Sequence, residues 1–256
     1  MADSAPFTDP HLGTYRPVPA AGPGVCLVCH SGPRPGRDIC DSCSFTMAQV
    51  SYPTRHVVPV SLYRTPGELW QVLRQYKDGS GPASGLLAVQ VAAMLAQFTA
   101  SHLRCLRTLL GGGPDLVATV PSTRPGQREA GHPLETVVTA VVGLARLRAP
   151  LLAPGTAAAG HNQPDDDAFQ PARKLSGERV LLIDDTFTTG ARVQSAASAL
   201  RRAGAAAVAA VTLGRVIWPD WNANCRRIWD QASHEPFSFD TCCLCRDHGG
   251  HGGSGQ

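Results

Sequence analysis

The sequence predicts an α/β fold: a doubly wound, mostly parallel sheet preceded by a small zinc-ribbon-like module. Three observations carry that expectation. Apolar runs at 116–120, 180–183 and 206–213 are too short for helices and read as strands buried on both faces. The first two runs each lead into a polar loop and then a helical apolar pattern, the strand–loop–helix rhythm of a parallel sheet. Two Cys-x-x-Cys pairs, Cys26/Cys29 and Cys40/Cys43, stand ahead of all of them.

A chain of 256 residues can bury a full core. Its net charge of +3 is too mild for the clustered basic face of a nucleic-acid-binding domain. Residues 1–20 lack the basic start and apolar core of a secretory signal. No apolar run reads as long enough to span a bilayer, so a soluble cytoplasmic protein is expected. In a reducing compartment its nine cysteines favour metal ligation or buried thiols over disulfides.

Residues 1–22 carry prolines and no periodicity, which predicts a disordered tail. The module spans 23–50. Its four cysteines, Cys26, Cys29, Cys40 and Cys43, supply the four thiolates that a closed tetrahedral zinc site takes. So short a segment cannot fold on its own apolar content, so the metal would supply the folding energy. Arg34 and Arg37 are the expected counter-charges, and His30 reads as a surface residue.

The body is expected over 55–217. It opens with short extended pieces at 57–63 and a helix with Thr65 as cap, Pro66 first and Glu68 in the first turn. Lys77-Asp78-Gly79-Ser80-Gly81 ends that helix. A long helix is predicted from Ser84 to about Leu110, with Leu87, Val91, Met94, Leu95, Phe98, His102, Leu106 and Leu109 on its apolar side. His102 and Cys105 read as a satisfied core histidine and a buried thiol. After the strand at 116–120 comes a loop bearing Arg124, Arg128 and His132, and then a helix from Pro133 to Leu147. Both strand-following loops should lie at the carboxyl edge of the sheet, where open α/β sheets bind ligands. Arginine's planar fork suits phosphate oxygens there. Residues 149–178 show no clear element and read as a lid, with Arg173 and Lys174 as its cations and Asp165–Asp167 solvated.

The body turns on Val180-Leu181-Leu182-Ile183-Asp184-Asp185-Thr186-Phe187-Thr188-Thr189-Gly190, with a helix from Ala191. A helix start offers unpaired amides and a partial positive charge, and a turn of hydroxyls and glycine lets a phosphate rest on them. The two acids can accept hydrogen bonds from sugar hydroxyls. An anion at the turn and a diol at the acids make a sugar phosphate. For that, both acids must face the crevice and the turn must curl.

Residues 218–256 form a Trp- and Cys-rich extension. Trp218, Trp221 and Trp229 predict packing against the body. Cys225, Cys242, Cys245 and His248 could build a second Cys3His metal site; plain thiols are the alternative.

The string 180–190 resembles the phosphoribosyl pyrophosphate (PRPP) motif of type I phosphoribosyltransferases. The resemblance implies that Asp184 and Asp185 are the catalytic-site acids holding the ribose hydroxyls, and that Thr186, Thr188, Thr189 and Gly190 hold the 5′-phosphate. It also implies that the loop of Arg124 and Arg128 meets pyrophosphate with Mg2+, under a mobile hood ahead of the motif strand. A four-Cys zinc module before such a core resembles the ComF family. That likeness rests on the Cys pairs, Leu73–Gly79, Thr119–Ser122 with its basic loop, Asn162, Phe169 and Asp184–Gly190. The family's Arg-Gly-Phe-Asn segment is here Arg128-Glu129-Ala130-Gly131-His132, and its Gln- and Arg-bearing hood is alanine- and acid-rich. The resemblance implies transfer of a 5-phosphoribosyl group with release of pyrophosphate. Its alternative is a non-catalytic PRPP- or nucleotide-binding accessory protein in DNA uptake or regulation, whose zinc module meets single-stranded DNA or a protein partner.

Overall fold

The computed structural model describes residues 5–78, 82–122, 132–157 and 162–245. Its strands are β1 (Val57–Tyr63), β2 (Leu116–Thr119), β3 (Leu152–Pro154), β4 (Phe169–Pro171), β5 (Arg179–Phe187) and β6 (Ala207–Val216). The helices are α1 (Ala5–Thr8), α2 (Asp41–Ala48), α3 (Glu68–Asp78), α4 (Pro82–Leu110), α5 (Pro133–Ala140), α6 (Val142–Ala145), α7 (Ala191–Arg202) and α8 (Ala223–His234). Four strands form one parallel sheet in the order β1-β6-β5-β2, and β3 and β4 pair as a separate antiparallel ribbon.

Alternate residues of each strand point to opposite faces, and here both faces are covered. Val58, Leu62, Val117, Leu181, Ile183 and Val211 pack with Leu73 of α3, Leu95 and Phe98 of α4 and Val138 of α5. Val57, Ala118, Val180, Leu182 and Ala210 pack with Val193, Ala196 and Leu200 of α7 and with the module's cysteines. Burial on two faces explains why these strands read as unbroken apolar runs. A fully buried leucine or phenylalanine here contributes roughly 2–3 kcal/mol.

Several elements differ from expectation, each for a local reason. The expected tail over 1–22 packs from residue 5 onward: Tyr15 is buried edge-on against Phe237 and Phe239, at 5.3 and 6.0 Å. The Leu62 amide donates to the Arg16 carbonyl at 3.0 Å, so the tail covers the free edge of β1. Residues 57–63 are one strand rather than short pieces, and Pro59 is tolerated because β1 is an edge. Pro66 precedes its helix, which begins at Glu68. The helix expected from Pro133 breaks at Val141 (φ −89°, ψ 99°). Inside the expected lid lies the β3–β4 ribbon. Asp166 there is not simply solvated: it accepts from the Ser51 amide at 3.1 Å and from the Ser198 hydroxyl. Of the three tail tryptophans only Trp229 packs on the core; Trp218 and Trp221 stay exposed.

By length and composition α4 is apolar enough to cross a membrane, contrary to the sequence expectation. In this fold its Val91, Met94, Leu95, Phe98 and Leu106 are core residues.

Candidate functional site

Two Cys-x-x-Cys turns bring four sulfurs together. Cys26, Cys29, Cys40 and Cys43 are all buried, with ligand atoms within 4.8 Å of one another. The Cys29 and Cys40 sulfurs are 3.6 Å apart, close to the roughly 3.8 Å edge of a zinc–thiolate tetrahedron with 2.3 Å bonds. The first turn closes through the His30 amide on the Cys26 carbonyl at 3.0 Å, with His30 in the left-handed region (φ 60°). Cys40 caps the start of α2, and Cys43 lies in its first turn. The group is compatible with a structural zinc ion.

The sequence misplaced the counter-charge. Arg34 pairs with Asp41 on the surface at 2.6 Å. The cation that reaches the thiols is Arg215, near the end of β6 and only 4% exposed. One of its nitrogens donates to the Ser31 hydroxyl at 3.0 Å. Another donates to the carbonyls of Phe187 at 3.3 Å, Thr188 at 3.0 Å, and Val216. Burial works against the guanidinium's charge, and Cys29, Cys40 and Cys43 more than restore it. Burial likewise opposes charge on Cys29, but hydrogen bonds from the other thiols and the Arg215 charge hold its pKa well below the ordinary thiol value. His30, expected at the surface, is buried with Nδ1 3.0 Å from the Pro19 carbonyl.

Arg215 thereby joins the module to the turn after β5. There the chain bends through Thr188 and Thr189 into Gly190, which adopts φ 89° and ψ −1° and begins α7. A Cβ on Gly190 would lie 2.4 Å from the Phe187 ring, so the position excludes a side chain twice over. Gly190 provides no side-chain cap. The Thr189 hydroxyl accepts weakly from the Ala191 amide at 3.4 Å, and among the described residues no N-cap side chain bonds the helix start. The Asn162 amide reaches the same hydroxyl at 3.3 Å, bringing the end of the expected hood onto the turn.

The acids are buried rather than facing the crevice, so the condition the sequence set for them is not met. β5 does not end at Ile183; it continues through both of them to Phe187. Asp184 is 1% exposed and Asp185 0%. Strand alternation sends neighbouring side chains to opposite faces. Asp185 meets α3: its Oδ2 accepts from the Tyr76 hydroxyl at 2.8 Å and faces the Lys77 ammonium at 2.6 Å. Its Oδ1 accepts from the Thr186 hydroxyl at 3.1 Å. Asp184 accepts from the Asp185 amide at 3.0 Å. Burial disfavours charge on Asp185, yet Lys77, with Arg192 and His132, holds its pKa below the ordinary carboxylate range. Burial pushes Asp184 up to about 6; Arg192 opposes that rise and the Asp185 charge adds to it.

Other polar groups complete this cluster. Arg192, in the first turn of α7, donates to the Pro121 carbonyl at 2.8 Å, and its buried Nε has no partner among the described residues. His132 caps α5 by accepting from the Leu134 amide at Nδ1, which leaves Nε2 to carry the proton. Burial lowers its pKa to about 4. Arg124 and Arg128, expected at pyrophosphate, lie outside the described residues. Of the cluster, Tyr76 and Lys77 stand in a string that the ComF resemblance had drawn on, though with no role assigned. Arg192 and Arg215 carried no signal, because neither lies in a motif.

A cleft of about 590 Å3 opens beside the turn, lined by Asn162, Thr189, Arg215, Trp218 and Trp221 and by the module's Cys40–Ser42 segment. Trp221 is 64% exposed and Trp218 43%. Comparison with known proteins finds no family model that matches the chain and no curated protein that matches it.

Proposed function

We propose that the chain is a PRPP-binding, phosphoribosyltransferase-like protein of the type I, doubly wound class, related to the ComF family and working in a reducing cytoplasm. The observation that carries this is the turn between β5 and α7: hydroxyl-rich, closed by a left-handed Gly190, and leading into an uncapped helix start. Such a turn suits the 5′-phosphate. Helices on both faces and a parallel order of β1-β6-β5-β2 support the fold assignment.

In this reading the buried acids represent the resting state. Lys77 occupies Asp185 until a pyrophosphate draws the ammonium away, and the freed carboxylate then takes a ribose hydroxyl. Arg192 and His132 stand by for the remaining anionic oxygens. Mg2+ would come bound to the pyrophosphate of PRPP, because Asp185 has both oxygens engaged and the pair makes no metal site of its own. Transfer breaks the bond from ribose C1 to pyrophosphate oxygen as a nitrogen lone pair bonds to C1, and that nitrogen loses its proton. A flat nitrogen base would suit the cleft between Thr189 and the two exposed tryptophans.

The test is thermal stability with PRPP plus Mg2+ against ribose 5-phosphate and inorganic phosphate. Mass action stabilises the fold by about 2.7 kcal/mol at a hundredfold excess over Kd. PRPP should give the largest shift, and Asp184→Asn and Thr189→Val should abolish it. Equal shifts with phosphate alone would reject the sugar-phosphate site. Pyrophosphate release across a panel of bases would establish turnover.

A second reading is favoured by the complete engagement of Asp185: PRPP or nucleotide binding without chemistry, in an accessory protein whose module contacts single-stranded DNA or a protein partner. Saturable PRPP binding with no pyrophosphate released would support it. So would single-stranded DNA affinity that falls steeply with salt and is lost when Cys26 and Cys29 become Ser.

A further inference from the structure

The C-terminal tail returns to α4 and places two cysteines against two residues that the sequence had assigned to the core. His102, Cys105, Cys242 and Cys245 present one ligand atom each within a 4.8 Å span. We propose that these four residues bind a second zinc ion in a Cys3His site that clamps the tail to α4.

The spacing fits a tetrahedron. The Cys242 and Cys245 sulfurs are 3.5 Å apart; His102 Nδ1 lies 3.8 Å from the Cys245 sulfur and 4.0 Å from that of Cys105. Bonds of 2.3 Å to sulfur and about 2.0 Å to nitrogen give tetrahedral edges of roughly 3.6–3.8 Å. A disulfide would need the first pair at about 2.05 Å, and it would leave His102 and Cys105 without a role.

Three further features point the same way. First, α4 leaves helical geometry at His102 (φ −116°, ψ 18°), with no proline there to break it. Second, His102 is 2% exposed, its Nδ1 faces two thiols, and its buried Nε2, with the Phe239 backbone nearby, makes no hydrogen bond of good geometry among the described residues. A histidine in a packed core normally satisfies both nitrogens; this one aims a nitrogen at a sulfur cluster. Third, Cys242–Cys245 forms a closed knuckle. The Cys242 amide donates to the Cys245 sulfur at 3.2 Å and the Leu244 amide to the Cys242 sulfur at 3.4 Å.

The expected partners of this knuckle were Cys225 and His248. Cys225 instead donates from its sulfur to the Gly32 carbonyl at 3.3 Å, beneath the first module. His248 lies outside the described residues. Three thiolates and one imidazole around Zn2+ leave one net negative charge, half that of the first site. The clamp closes next to the ring cluster of Tyr15, Phe237 and Phe239 and under the Phe98 ring, 4.9 Å from His102.

Metal content of the purified full chain tests the proposal. Wild type should carry two zinc ions. Cys242→Ser/Cys245→Ser and His102→Ala should carry one, and Cys26→Ser/Cys29→Ser should lose the other. One zinc in wild type, or two retained in the first two variants, would overturn it. If those variants fail to fold, cadmium-113 NMR of the wild-type chain loaded with Cd2+ decides. Two resonances, one in the four-sulfur range and one in the three-sulfur, one-nitrogen range, are expected; a four-sulfur resonance alone overturns the site.

Discussion

The fold buries negative charge in two places, and it treats them differently. At the module, Cys29, Cys40 and Cys43 face Arg215, a guanidinium that cannot lose its proton and that is tied to backbone carbonyls on two strands and the turn. At the acids, Asp185 is held by Lys77, a single ammonium 14% exposed near the end of α3. The first arrangement is fixed because its cation is buried and held by one hydroxyl and three backbone carbonyls. The second is releasable because its cation sits on a flexible stem within reach of water. A structural centre needs the former and a ligand site the latter.

That contrast can be broken in several ways. The largest effect should come from Arg215→Met. It removes the guanidinium that offsets the net negative charge of a zinc–tetrathiolate group, at a cost of about 3–5 kcal/mol, and it frees the Thr188 carbonyl. The melting temperature should fall by roughly 10 °C; a fall of under about 2 °C would mean that the thiolates hold themselves.

Next come Asp184 and His132, whose shifts oppose each other. Asp184 titrates near 6 in the fold against about 3.9 unfolded, so it erodes stability as pH rises from 4 to 6. His132 titrates near 4 in the fold against about 6.5 unfolded, so its contribution is present above 6.5 and is lost as pH falls toward 4. Across that window the two nearly cancel, so the wild-type profile should follow His30, His56 and His102, which burial also depresses, and climb with pH. Asp184→Asn should stabilise the chain at pH 7 by on the order of 2 kcal/mol and leave stability climbing with pH. His132→Asn, which keeps a helix cap, should make the climb shallower than in wild type. Urea midpoints from pH 4 to 7 check both, and parallel profiles would contradict the cluster.

Smaller still, Lys77→Met should cost about 1–3 kcal/mol at pH 7, because it leaves the buried Asp185 carboxylate with the Tyr76 and Thr186 hydroxyls as its donors. Asp185 has a depressed pKa, so the stability that Lys77 adds is present above about pH 4 and lost as pH falls through the folded value. The two chains should converge in strong acid. If the Lys77 variant falls as far as the Arg215 variant, the second cluster is as fixed as the first. At the far end, Arg34→Ala should change the melting temperature by less than about 1 °C, since its partner Asp41 is on the surface.

What could be read in advance depended on distance along the chain. Cys26 to Cys43 span few residues, so spacing alone exposed them. The second cluster joins His102 to Cys245 across the whole body, and helical periodicity made His102 resemble any other apolar-face residue. The strands at 116–120, 180–183 and 206–213 were visible as apolar runs, but the extension of β5 through Asp184 and Asp185 was not. Acids read as strand-breaking until Tyr76, Lys77 and Arg192 arrive from other helices to neutralise them. Tyr15 and Val18, placed in a proline-rich tail, pack because the edge of β1 and the rings of Phe237 and Phe239 supply a surface that no local pattern announces.

Gly32 has a consequence for how the metal module meets anything else. A Cβ there would sit 2.3 Å from the Cys225 nitrogen, because the first knuckle and the start of α8 touch main chain to main chain. Asn222 and Asn224 stitch the same seam through the Gly32 and Pro33 carbonyls, at 3.1 and 2.9 Å. The knuckle has no swivel and cannot search like a finger on a string. A visitor must greet it together with the head of α8, as one hard facet bordering the gap under Trp218 and Trp221.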